Sequence, residues 1–377
     1  MKYKKLVVIS HTPHQVLPDG TTVGWGPTIA ELNYLAQYWN ELVHVACREP
    51  YTNNPSLQPY KNNHIRFAPI PRFGGITFLQ KLSVFYQAPQ IIWQIVKSLN
   101  GATHVQIRVP MGIGVYVLPI FLFVPRKFIL WVKYANNWGH VSNSLGYRFQ
   151  HWILKKNSLK CPVTINGFWQ NQAKHLKSFE NPCITETQLN LGSSLNKDFN
   201  GPFKLVFVGR LESAKGIDLL MDSLASLPKG KIEEWVFLGD GPLKGQLKTE
   251  VMKEGVKASF LGFVSQEVVH EELKEAHFLI LPSRSEGFPK VIAEAWNYGC
   301  IPIISAVGSI PHYLEDGVNG FIISELKMEG IAQTIDKVLN SDHRSLDVIS
   351  KKGNNMAERF TFEHYLQHLK ESVFGDY

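Results

Sequence analysis

From Lys204 to Ile323 the chain repeats one pattern: a short apolar run, a polar turn and, in most cases, a helical stretch. The apolar runs are Leu205–Val208, Trp235–Leu238, Ser259–Leu261, Phe278–Leu281, Ile301–Ile304 and Phe321–Ile323. Strands separated by helices imply a parallel sheet, because a right-handed helical return lays successive strands in the same direction. Helices covering both faces of such a sheet remove the need for polar alternation, and Phe278–Leu281 shows none. The pattern demands an α/β domain.

Within it, residues 278–305 read most clearly. Pro282 closes the apolar run, and Ser283-Arg284-Ser285-Glu286-Gly287 is turn chemistry. Pro289 suits the first turn of a helix expected to reach about Tyr298 and to stop at Gly299. Two carboxylates, Glu286 in the loop and Glu294 in the helix, have seven residues between them. Counted from Pro289, about 7–8 Å of helix leads to Glu294. The helix N-terminus between them offers N–H groups and a partial positive charge to phosphate or sugar hydroxyls. Taken alone, the pair reads more readily as one surface glutamate and one on a solvated helix face.

The first half of the chain repeats the theme less regularly. Leu6–Ile9 leads into a Gly- and Pro-rich loop over 11–28, and a helix is expected from Pro27 to about Tyr38. Gly24 and Gly26 would let a ligand approach that loop, or would merely shape a long connection. Further strands are expected at Val43–Cys47, Ile65–Ala68, His104–Val109, Phe128–Val132 and Val163–Ile165, with helical pattern over Phe78–Leu99. KYANNWGH follows one of these strands, at the sheet end where open α/β folds bind ligands. Arg108, Lys133, Asn137, Trp138 and His140 are therefore candidates to line an acceptor pocket, although each also fits a structural or solvated role.

Length and composition narrow the class. The 377 residues suffice for two domains with separate cores, and a hydrophobic content of 44% fits a globular protein. The net charge of +7 favours anionic partners, either phosphorylated substrates or an anionic membrane surface. No nucleic-acid motif is present, so nucleic acid is not an expected partner. Cys47, Cys161, Cys183 and Cys300 form no CxxC pair and read as buried thiols. The basic opening is too short in apolar residues for a signal peptide, and Gly112–Val124 is too short to span a bilayer. The expected location is the cytoplasm, in solution or at the inner face of the cytoplasmic membrane.

SRSEGFPKVIAEA followed by GCIPIISAVGSIPHYLEDGVNGFII resembles the signature of retaining GT-B glycosyltransferases of family 4, the glycosyl transferases group 1. The similarity covers about Phe203–Phe362 well and the first half thinly. It implies an α/β, GT-B fold: two Rossmann-like domains with parallel sheets facing across a cleft. The implied division is an acceptor domain over 1–185, a linker over 186–203, a donor domain over 204–361 and a C-terminal helix over 362–377 that packs back on the first domain.

The resemblance also assigns roles. Arg210 and Lys215 would be the family's phosphate-binding pair, neutralising charge on the departing nucleoside diphosphate. Glu286 would contact the donor sugar near the reacting centre, and Glu294 would hold the ribose. The backbone of Gly287, Phe288, Pro289 and Lys290 would cradle sugar hydroxyls and phosphate. Gly209, Gly262 and Phe263 would border the nucleotide, and Gly24, Gly26 and Pro27 would face phosphate and acceptor. No Asp-x-Asp motif is present, so no metal and no cofactor beyond the nucleotide-sugar donor is expected. The implied partners are that donor, UDP- or GDP-linked, and a glycan or lipid-linked acceptor. Two departures stand out: the first-domain His-Asp pair of many relatives is missing, and His312 replaces a glutamate after Ile-Pro. Another GT-B activity, such as nucleotide-sugar epimerisation, and a catalytically silent binding protein remain open alternatives.

Overall fold

The computed structural model describes residues 3–52, 54–75, 77–139 and 144–375. The chain divides into two compact units, Met1–Phe179 with Leu366–Tyr377, and Glu180–Tyr365.

The first unit is built on seven parallel strands in the order β10-β9-β8-β7-β1-β4-β6. These are β1 (Lys5–Ile9), β4 (Glu41–Cys47), β6 (Ile65–Ile70), β7 (His104–Val109), β8 (Ile129–Tyr134), β9 (Val163–Ile165) and β10 (Leu176–Ser178). Side chains alternate across the sheet. Val7, Val43, Val105 and Val132 join one core cluster, and it is completed by residues of α2 (Phe78–Tyr86), α3 (Ala88–Leu99), α4 (Gly114–Phe123) and α5 (Leu145–Lys155). Near the end of the chain, Phe374 meets the rings of His104 and Trp131 at 5.2 Å and that of Trp39 at 5.9 Å.

The expected glycine loop over 11–28 is instead folded. β2 (His14–Val16), β3 (Thr22–Trp25) and β5 (Leu57–Pro59) form a small antiparallel sheet, and α1 (Gly26–Leu35) starts directly after it. A Cβ on Gly24 would lie 2.5 Å from the His14 ring, and one on Gly26 would lie 2.7 Å from the Ser56 carbonyl oxygen. Close packing alone therefore demands both glycines. His14 is fully buried between the Thr12 carbonyl, 2.9 Å from Nδ1, and the Tyr60 hydroxyl, 2.7 Å from Nε2. Burial lowers its pKa to about 4, so the ring is neutral near pH 7.

The second unit carries six parallel strands in the order β13-β12-β11-β14-β15-β16. They are β11 (Phe203–Val208), β12 (Ile232–Leu238), β13 (Ala258–Gly262), β14 (Phe278–Leu281), β15 (Ile301–Ser305) and β16 (Phe321–Ile323). Between them and after them run α7 (Ile217–Ser223), α8 (Lys244–Lys253), α9 (Gln266–Glu275), α10 (Lys290–Asn297), α11 (Met328–Leu339) and α12 (His343–Met356). The chain moves outward from β11 to β13, then returns to start again at β14 beside β11. That reversal is a topological switch point, where the loops at the strand C-termini diverge and leave a crevice.

The expected linker over 186–203 is also ordered differently. Thr185 and Gln188 cap each other reciprocally at the start of α6 (Glu186–Ser193), a capping box. The Asn297 side chain donates to the Gln188 carbonyl at 2.9 Å, so α6 is tied to α10 within the second unit. A last helix, α13 (Phe362–Leu369), straddles the division between the units.

Candidate active site

The loops at the switch point of the second unit hold the residues that the motifs single out. After β11, Gly209 and Arg210 lead to Lys215; after β14, Ser283 to Gly287 lead to α10. These two loops are packed backbone to backbone. Gly216 has φ +72°, and a Cβ there would lie 1.9 Å from the Pro282 carbonyl oxygen, so only glycine fits. The Arg284 N–H donates to the Ala214 carbonyl at 2.9 Å. Its guanidinium reaches back to both Asp218 carboxylate oxygens, at 2.6 and 2.9 Å, and to the Ser213 carbonyl. Burial works against the Asp218 charge, yet the hydrogen bond and charge of Arg284 hold that carboxyl below its ordinary range.

The clamp sets Lys215 against Glu286. Lys215 Nζ lies 2.5 Å from Glu286 Oε1, and the Ser283 hydroxyl donates to the same oxygen at 2.9 Å. The Lys215 side chain is 27% exposed and that of Glu286 11%, so the pair faces a partly dry recess. A lysine held on a carboxylate in this way is a fixed cation that can turn to an incoming phosphate, leaving Glu286 as an acceptor for a sugar hydroxyl. Arg210 is 61% exposed, and its Nε donates to Glu212 at 2.8 Å. It stands in the same loop as Lys215 but does not touch the pair.

A third loop braces the second. The Ser309 N–H and hydroxyl both donate to the Gly287 carbonyl at 2.9 Å. Gly308, at φ +63°, would place a Cβ 2.1 Å from the Glu286 carbonyl oxygen. α10 then begins at Lys290, after Pro289 as its N-cap and with no side-chain cap. The Phe288 side chain does not face a ligand: it is buried and stacks on Phe360 with ring centroids 4.8 Å apart. Lys290 Nζ donates to the Pro182 carbonyl at 2.8 Å. The Phe288 and Lys290 side chains are thus engaged within the fold, which leaves the expected cradle to their backbone.

Glu294 is 7% exposed and accepts from Gln266 Nε2 at 3.1 Å. Gly262, at the end of β13, and the half-exposed Phe263 lie on the same sheet edge. Arg284, Asp218, Ser283, Ser309 and Gln266 were not anticipated. Only the register of Arg284 and Ser283 beside Glu286 hinted at them.

The first-unit candidates part ways. Arg108 and Lys133, expected at an acceptor pocket, are both 7% exposed and share Glu31 of α1 at 2.6 and 2.8 Å. Arg108 Nε also donates to Gln106 at 2.7 Å. A buried carboxylate between two cations leaves one net positive charge at this sheet edge. Trp138 belongs to the core, 4.3 Å from the His151 ring and 5.0 Å from that of Tyr134. Asn137 Oδ1 caps its own turn by accepting from the Gly139 N–H at 3.0 Å. Pro27 sits in the first turn of α1, and His140 lies outside the described residues.

Known proteins resemble this chain in sequence and in fold. Residues 195–356 match the family model "Glycosyl transferases group 1". An uncharacterized glycosyltransferase of Methanocaldococcus jannaschii is 24% identical over 327 residues, 85% of this chain and 86% of that protein. An alpha-1,4-N-acetyl-D-galactosaminyltransferase of Campylobacter jejuni, whose name gives a PP-undecaprenol-linked acceptor, is 27% identical over 207 residues, 54% of this chain and 55% of its own. Among solved structures, HepE of Anabaena in complex with UDP and glucose superposes with a TM-score of 0.68 at 16% identity, covering 97% of this chain and 98% of that one. Sucrose-phosphate synthase of Thermosynechococcus elongatus gives 0.69 at 15%, with 97% of each chain covered. The chain has the GT-B fold of these glycosyltransferases, and the region that carries Lys215, Glu286 and Glu294 is similar to the glycosyl transferases group 1.

Proposed function

We propose that the protein transfers a sugar from a UDP- or GDP-linked donor to a glycan or lipid-linked acceptor, with retention of anomeric configuration and without a metal. The synthesis of cell-surface polysaccharide at the cytoplasmic face of the membrane is the setting that fits such an acceptor. The observation that carries the reading is the Lys215–Glu286 contact at the switch point, inside the region that matches the family. UDP and glucose in the HepE complex and the undecaprenol-linked acceptor of the Campylobacter enzyme support the substrate classes.

In this scheme the acceptor oxygen bonds to the anomeric carbon on the face from which the nucleoside diphosphate leaves. The bond from that carbon to the phosphate oxygen breaks, and the acceptor's proton passes to the departing phosphate. Lys215 and Arg210 neutralise the charge that develops there. Glu286 orients the sugar without bonding to it covalently, and Glu294 receives the ribose hydroxyls. The backbone from Gly287 to Lys290, with the start of α10, meets sugar and phosphate.

A panel of UDP- and GDP-sugars, assayed for freed nucleoside diphosphate and for a glycosylated product, tests the assignment. One or more donors are expected to turn over, and activity is expected to survive EDTA. Loss in chelator with recovery on adding Mg²⁺ or Mn²⁺ would contradict charge neutralisation by Arg210 and Lys215 alone. An epimerised sugar without a new glycosidic bond would replace transfer by epimerisation.

A further inference from the structure

Between Glu49 and Glu180 the sequence contains no Asp or Glu at all. The same stretch holds 15 of the chain's 39 Lys and Arg, leaving 24 elsewhere against all 32 acids. The entire positive excess of the protein is therefore concentrated there. Helices α2–α5 lie in this stretch, and Val84, Ile91, Val117 and Ile153 place their inner sides in one core cluster on one face of the seven-stranded sheet. Their outer sides form a single layer of the first unit.

That layer is unusually apolar for a solvated surface. Leu79 and Phe85 on α2 are 74% and 64% exposed, and Phe123 at the end of α4 is 84% exposed. Tyr86, Trp93 and Trp152 are exposed as well. Lys81, Lys97, Arg148 and Lys155 stand exposed on the same helices, and Lys97 Nζ lies 4.8 Å above the Trp93 ring. Isolated exposed apolar side chains are ordinary, but a layer of them interleaved with cations and free of carboxylates is not.

We infer that the outer layer of α2–α5 docks the protein on an anionic lipid bilayer. Leucine and aromatic side chains enter the boundary between headgroups and acyl chains, and the lysines and arginines meet anionic headgroups. Among the described residues no helix is long and apolar enough to cross a membrane. A symmetric contact with a second copy of the chain fits poorly, because it sets one acid-free surface against another. Nucleic acid fits the cations but gives Leu79 no aromatic base-stacking role. The inference deepens the proposed lipid-linked acceptor and rests on that reading only for its biological setting.

Co-sedimentation of the full chain with vesicles of phosphatidylglycerol and phosphatidylcholine in equal parts, without donor, tests it. The protein is expected to bind these vesicles, less as salt is raised, and to leave phosphatidylcholine vesicles largely unbound. Leu79→Gln with Phe85→Gln, and separately Lys81→Glu with Lys97→Glu, are each expected to weaken partition at least about tenfold. Circular dichroism and nucleotide release from a soluble donor should stay at wild-type levels in both variants. Failure to bind anionic vesicles, or equal binding by both variants, overturns the inference. So does binding to single-stranded DNA that displaces the vesicles, or self-association abolished by the Leu79→Gln and Phe85→Gln pair. Failure here with nucleotide release intact leaves the donor reading standing, and the converse result leaves the membrane surface standing.

Discussion

Replacing Lys215 by alanine is expected to lower sugar transfer by at least ~10²-fold while leaving the fold intact. The ammonium group is the cation that the switch-point loops hold in place: the Arg284–Asp218 clamp and the close approach at Gly216 leave the 213–218 loop little freedom. A preorganised charge of this kind stabilises a leaving phosphate by a few kcal/mol, because it need not reorganise as the bond breaks. Stability should change little, since Lys215 is part-exposed and makes one ion pair. Arg210→Ala should act in the same direction, as Arg210 is exposed and free to move onto a diphosphate from its Glu212 contact. Steady-state turnover with the best donor measures both. Wild-type rates in purified, folded variants would show that the phosphate lies elsewhere.

Glu286→Gln is expected to be equally damaging but to behave differently in binding. The substitution keeps the shape and removes the charge, so the sugar loses a carboxylate acceptor, which contributes about 1.5–3 kcal/mol as a charge-assisted bond. Turnover should fall ~10²-fold. Binding of the free nucleoside diphosphate should hold or tighten, because Lys215 no longer has a carboxylate 2.5 Å away competing with phosphate. Calorimetric titration with UDP and GDP, set beside turnover, separates the two effects. A loss of nucleotide affinity matching the loss of turnover would mean that Glu286 only orients Lys215.

The β14–α10–β15 unit was legible almost to the residue, since Pro282, Pro289 and Gly299 punctuate it and apolar runs bound it. The strand at Phe278–Leu281 has the expected limits, and α10 ends one residue before the expected Tyr298. The pairing of Lys215 with Glu286 was implied only by resemblance, because 71 residues separate them. Local pattern is silent about contacts at that range. The Glu31–Arg108–Lys133 cluster was hidden for the same reason, spanning 77 and 102 residues, and strand-end cations read as solvated until a buried carboxylate is known to face them. The polar sequence of α6, with Gly192, reads as a connection, although the Thr185–Gln188 capping box is a signal for the start of a helix. The small β2–β3–β5 sheet went unseen because GTTVGWGPT carries turn residues throughout, and two of its glycines are packing requirements.

The anomeric configuration of the product tests the mechanism most directly. If Lys215 and Arg210 hold the departing diphosphate and no protein nucleophile takes part, as proposed, attack on the leaving face keeps the configuration of the donor. NMR of the product formed from an α-linked nucleotide sugar should therefore show an α-linkage. A β-linked product would contradict the account, and would require a general base on the opposite face, with His11 and Asp19 the first to be tested.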